Sequence, residues 1–133
     1  MRIPFDPTRR TILVDAELTG PKRTITLKLL LDTGASDTFV EESYLVAAGY
    51  SLSGAVNQFQ VVTGSGIISV TEVVVSCFAS LGQTRADFPI LAHSFHPGAG
   101  YEGVLGLDFL RGNILTIDFV NGEIALTAGG ATP

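Results

Sequence analysis

The chain has 133 residues, 46% of them hydrophobic and 16% charged, with a formal net charge of −5. That length allows one domain with a modest core, and the composition excludes a disordered segment. Eight basic residues are scattered and form no stripe able to replace phosphate counterions, so nucleic-acid binding is not expected.

The mean hydropathy of +0.40 is high for so small a chain. The surplus apolar surface needs a place, and a subunit interface is the natural one. No run approaches the roughly 20 apolar residues of a membrane span, and the N-terminus lacks the apolar core of a secretory signal. The single cysteine, Cys77, cannot form an internal disulfide and is expected as a small core residue, which agrees with a reducing compartment such as the cytoplasm. His93 and His96 have no Cys or further His to complete a ligand set, so neither a metal nor a cofactor is expected.

In chain order, residues 1–10 carry two prolines and three arginines and are expected as an arm over the surface or on a partner. Thr11 to Leu18 alternates, with Ile12, Val14, Ala16 and Leu18 on one face. Gly20-Pro21-Lys22 turns the chain, and Thr24 to Leu31 returns as the second strand of a hairpin. Phe39-Val40 reads as a short strand. Glu41 to Ala48 reads as a short helix, with Glu41-Glu42 at its start and Gly49 at its C-terminal cap. Tyr50 to Val56 is a loop.

Gln58 to Val62 and Ile67 to Val75 flank Thr63-Gly64-Ser65-Gly66, a hairpin with a glycine-rich tip. Phe78 to Leu81 and Thr84 to Ala92 form a further hairpin about Gly82-Gln83, and His93 to Glu102 is loop. Val104-Leu105 reads as a buried strand ending at Gly106, followed by a short helix over Leu107 to Arg111, closed by Gly112. Ile114 to Val120 and Glu123 to Thr127 flank Asn121-Gly122, a strong hairpin signal, and residues 129–133 form a tail. The total is mostly β: a small closed barrel with two short helices, in one domain spanning residues 1–133.

One stretch stands out chemically. Leu29-Leu30-Leu31 runs inward and ends on Asp32-Thr33-Gly34-Ala35-Ser36. A carboxylate at the mouth of an apolar strand costs several kcal/mol if left ionised and unpaired. A fold keeps such a group when it is solvated, hydrogen-bonded or functional, and the small residues after it allow close backbone approach and a hydroxyl donor.

Asp32-Thr33-Gly34-Ala35 resembles the active-site loop of aspartic proteases. The ordered set of this loop, the glycine-tipped hairpin Val61 to Ile68, and Val104-Leu105-Gly106 ahead of a short helix resembles the single-lobe, retropepsin-like branch. The resemblance extends from about Thr11 to Thr127. It implies a barrel of retropepsin type in which Val104, Leu105 and Gly106 support the loop beneath it. It also implies peptide-bond hydrolysis by two carboxyl groups sharing one proton, with Asp32, Thr33 and Gly34 as the catalytic loop.

The same resemblance assigns substrate contacts to Ala35, Ser36 and Asp37 on the loop and to Thr63, Gly64, Ser65, Gly66 and Ile67 on the flap. Because the chain holds one Asp-Thr-Gly, it implies a homodimer in which each subunit contributes one Asp32, locked by Thr33 across the axis. Such dimers are commonly tied by a terminal β-sheet, for which Arg2 to Phe5 and Ile124 to Thr127 are both open candidates. Ser36 and Leu107 replace an acid and an arginine common in retroviral members, and Asp108 lies in a Gly-Leu-Asp-Phe-Leu context common in bacterial and cellular ones. Those departures imply a stand-alone bacterial or cellular relative.

Asp108 itself is expected to cap a helix or bond backbone. The expected function is an aspartic endopeptidase acting on an extended peptide or protein substrate. The rival reading is a catalytically inactive module of the same fold for dimerisation or peptide binding. A lipocalin-like ligand barrel would need more strands than the pattern supplies.

Overall fold

The computed structural model describes residues 1–53 and 58–129; the expected loop at 54–56 and tail at 130–133 lie outside them. The elements are β1 (Ile3–Pro4), β2 (Leu13–Thr19), β3 (Thr24–Leu31), β4 (Phe39–Glu41), α1 (Glu42–Ala48), β5 (Gln58–Thr63), β6 (Gly66–Ser80), β7 (Gln83–His93), β8 (Gly103–Leu105), α2 (Leu107–Leu110), β9 (Asn113–Asp118) and β10 (Glu123–Ala128).

The alternation in β2 buries Val14, Ala16 and Leu18, and β3 answers with Leu27, Leu29 and Leu31. These strands pair antiparallel from Leu13↔Leu30 to Thr19↔Thr24. Six strands close a barrel in the order β2-β3-β8-β4-β7-β6, with β6 returning to β2. β5 extends from β6 as the outer arm of a hairpin. Closure removes the open edges that a sheet of this hydrophobicity would otherwise offer.

Two crossings matter for the site. β8 lies between β3, to which it runs parallel, and β4, to which it runs antiparallel. The loop after β3 therefore leaves on one side of β8 and rejoins on the other. All three residues of β8 are buried, as parallel pairing inside a core demands. Beneath it Phe78, Phe88 and Phe109 pack with centroids 5.5 to 5.9 Å apart, one pair stacked and two edge-on.

The structure departs from the sequence reading in several places. β6 is one continuous 15-residue strand where two were expected. The polar Ser76 interrupts the apolar run, but its N–H donates to the Tyr50 hydroxyl at 2.8 Å, and Asp87 on β7 takes a φ of 48°. The strand thus bends without ending. The turn to β7 is Leu81-Gly82, with φ of 52° and 76°, rather than Gly82-Gln83. Both central residues in the left-handed region match a two-residue hairpin, and burial of Leu81 compensates its strained backbone.

Cys77 is only half-buried, at the β2–β6 seam, because its neighbour Phe78 takes the inward position. Glu41 ends β4 and holds the N-cap position of α1 without a side-chain capping bond; its carboxylate instead accepts the Phe95 N–H at 2.6 Å and anchors the loop after β7. β9 ends at Asp118, not Val120. The Asp118 carboxylate accepts the N–H groups of Val120 and Asn121 at 2.9 and 3.0 Å and widens the turn to four residues. These bonds to the charged form, the Asn121 backbone first, hold the Asp118 carboxyl below the usual carboxylate range.

The arm is not free. β1 pairs with β10, as Ile3↔Ile124 and Pro4↔Glu123, in a second sheet ordered β1-β10-β9. The two segments left open as interface candidates therefore lie side by side within one chain.

Candidate active site

Asp32 stands at the exit of β3, half-buried. Its N–H donates to Leu105 O at 3.1 Å, its carbonyl accepts the Ala35 N–H at 3.2 Å, and its Oδ1 accepts the Gly34 N–H at 2.8 Å. The carboxylate thus has a local backbone donor, which offsets part of the cost of holding it at the end of an apolar strand.

The far limb of the loop is tied to α2. Leu107 N donates to Ala35 O at 2.8 Å and Asp108 N to Ser36 O at 3.1 Å. Gly106 sits so close that a Cβ there would collide with Asp37 O and lie 2.9 Å from Ala35 O. Gly106→Ala is expected to push the loop off its support at a cost of about 1–3 kcal/mol. The drop in unfolding midpoint, measured beside peptide cleavage, checks it.

A buried polar knot lies behind the loop. Thr38 is fully buried. Its hydroxyl donates to Asp108 Oδ1 at 2.6 Å and accepts the Gly106 N–H at 3.2 Å, while its own N–H donates to Asp108 Oδ2 at 3.0 Å. Asp108 Oδ1 also accepts the Phe109 N–H at 2.8 Å. Burial pushes the Asp108 carboxyl above the usual carboxylate range, opposed by the bonds from Thr38 and Phe109 and assisted by the nearby charge of Asp37. Arg85 closes the other end of α2, with Nη2 donating to Phe109 O at 2.8 Å and its guanidinium over the Phe109 ring.

Above the loop stands the β5–β6 hairpin, paired from Gln58↔Thr71 to Thr63↔Gly66. Thr63 Oγ1 donates to Gly66 O at 3.0 Å across the tip, and Gly66 has a φ of 127°, a conformation that favours glycine. Loop and hairpin enclose an open cleft of about 600 Å³. Of the residues expected at the site, Asp32, Gly34, Ala35, Ser36, Asp37, Thr63 and Gly64 line it. Thr33 is exposed, and Thr33, Ser65, Gly66 and Ile67 are not part of the cleft lining. Val104, Leu105 and Gly106 lie buried below.

Sequence reasoning missed Phe39, Gln60, Val61 and Val62 in the lining, and Thr38 behind it. The period-two pattern of β5 could have offered Gln60 and Val62 as one face. No signal in the sequence pairs Thr38 with Asp108, 70 residues away.

The sequence profile of the family described as "gag-polyprotein putative aspartyl protease" matches residues 22–112. The fold agrees with that class. The chain is similar to a retropepsin-like aspartic protease from Rickettsia conorii, at a TM-score of 0.71 and 17% identity, over 96% of this chain and 91% of that one. Among curated proteins, none matches the chain at significant similarity. The chain belongs to the gag-type aspartyl protease family and has the retropepsin-like fold.

Proposed function

We propose that the protein is an aspartic endopeptidase, active as a homodimer in which Asp32 and the partner's Asp32 share one proton. The observation that carries this reading is the position of Asp32 at the floor of a cleft roofed by a glycine-tipped hairpin. The chain has one Asp-Thr-Gly, so a single copy is half a site. Like charges about 3 Å apart cannot both ionise, an effect for which aspartic proteases are the standard case. The ionised carboxyl takes a proton from water as the water attacks the scissile carbonyl carbon, and the protonated one donates to the carbonyl oxygen.

Ala35, Ser36 and Asp37 on the floor, with Thr63 and Gly64 on the roof, hold an extended peptide by strand-type bonds. Ser65, Gly66 and Ile67 meet substrate only when the flap closes, and Thr33 locks the two loops across the axis. Val62 and Ile67 face each other across the hairpin at 81% and 67% exposure, an apolar pair that closure would cover. Incubating the protein with an unstructured protein between about pH 4 and 6 tests the proposal. Cleavage that rises with the dimer fraction is expected. A dimer that binds peptide without cutting it would leave the non-catalytic module as the reading.

A further inference from the structure

The cleft carries an acid left unanswered among the described residues. Beyond Asp32 its lining holds one further charge, Asp37, and no lysine, arginine or histidine. The Asp32 carboxylate accepts the Gly34 N–H, whereas the half-buried Asp37 carboxylate enters no hydrogen bond or ion pair among the described residues. The one ion pair found there, Lys28 with Asp15, joins β3 to β2 and not to the cleft.

Asp37 is also held where it stands. Its carbonyl lies against Gly106, and Ser36 O before it accepts the Asp108 N–H at 3.1 Å. Thr38 after it is fully buried and bonded to Asp108. The backbone alternates here, so Thr38 faces the core while Asp37 and Phe39 both line the cleft.

The Phe39 ring is braced in turn. It meets His93 edge-on with centroids 6.3 Å apart, and His93 meets Phe95 edge-on at 5.2 Å. Phe95 is anchored by its N–H to the Glu41 carboxylate. The wall of the cleft thus sets a supported aromatic ring two residues from an unpaired carboxylate.

A substrate side chain lying on this wall meets both groups. An apolar one covers the carboxylate and takes water from it without replacement, and an acidic one adds like-charge repulsion. A long cationic one suits both, with its stem or guanidinium plane along the ring and its charge at the carboxylate. From these observations, and resting on the protease reading, we infer that the cleft selects peptides with a lysine or arginine near the scissile bond, and that Asp37 and Phe39 select it. In the proposed dimer the two-fold axis repeats the wall across that bond, so a basic residue is favoured on either side.

The test is kcat/KM at about pH 6, above the ordinary carboxylate range, on otherwise identical peptides with Lys or Glu walked through the positions flanking the bond. At its best position the Lys peptide is expected to be cut at least about tenfold faster than the Glu peptide, and added salt should shrink that ratio. Asp37→Asn should bring the ratio below about threefold, and Asp37→Lys should invert it. Phe39→Leu should lower it by about two- to fivefold without changing its sign, which is what a cation over a ring supplies. Each ratio is taken within one preparation, so any loss of folded or dimeric enzyme cancels. A wild type that cuts both peptides alike at every position overturns the assignment and leaves the protease reading standing, as does a preference that Asp37→Asn leaves intact. If neither peptide is cut, fluorescence anisotropy of the same two peptides decides. Asp37-dependent preference for the Lys peptide then supports the basic-residue wall and overturns the protease reading, whereas equal binding or none overturns both.

Discussion

Replacing Asp32 with Asn is expected to lower peptide cleavage by a factor of about 10² to 10⁴, the range that a positioned acid or base supplies. The fold should survive, because the asparagine carbonyl can still accept the Gly34 N–H that Asp32 Oδ1 accepts at 2.8 Å. Unfolding free energy should therefore shift by less than about 1 kcal/mol. Measuring kcat/KM and the unfolding midpoint on the same preparation separates the two effects. Wild type should have a bell-shaped pH profile, since a pair sharing one proton works only between its two macroscopic ionisations. Retention of more than a tenth of the activity in the variant would remove Asp32 from the chemistry.

The second large effect is expected at Asp108→Ala. The carboxylate accepts the Thr38 N–H, the Thr38 hydroxyl and the Phe109 N–H, so the truncation strands three donors around a fully buried threonine. A loss of about 3 kcal/mol in stability follows, since each buried unsatisfied group costs roughly 1–3 kcal/mol and water entering the gap repairs part of it. Cleavage should fall too, because Asp108 N and Leu107 N hold the loop through Ser36 O and Ala35 O.

The pH dependence has a definite sign. A folded-state pKa raised by burial means that the native protein holds the Asp108 proton more tightly than the unfolded chain does. Asp108's own contribution to stability is then greatest at low pH and declines as pH rises through and above the ordinary carboxylate range. Denaturant unfolding of wild type and Asp108→Asn from about pH 3 to 7 checks this. The gap between them should shift against wild type as pH rises.

Much of the barrel was legible because its strands are locally encoded. Thr24 to Leu31 begins and ends where alternation and the Gly20-Pro21 turn place it, and Gly49 caps α1 with a φ of 112° as a helix-terminal glycine should. Elements were misread where a side chain from elsewhere intervened. Tyr50 carries β6 past Ser76, Glu41 reaches out to Phe95, and the Asp118 carboxylate recruits the backbone of its own turn. Cys77 was misplaced because an apolar run does not say which of two neighbours, Cys77 or Phe78, faces inward.

The candidate site divides the same way. The loop at Asp32 and the glycine tip at Gly64 to Gly66 stand out in the sequence because backbone demands restrict residue type there. Phe39, Gln60 and the Thr38–Asp108 knot do not, since ordinary residues become a lining or a brace only through what they face.

By itself the amino-acid sequence determined the strands, the two short helices and the acid-bearing loop, because periodicity and turn chemistry are local properties. Tertiary structure alone decided that β8 threads between β3 and β4 beneath Asp32, that β1 lies on its own chain's β10, and that β9 is left as the open edge. Those are pairings between segments tens of residues apart, and burial of the whole set of apolar faces at once selects them over the alternatives that each strand's pattern would equally permit.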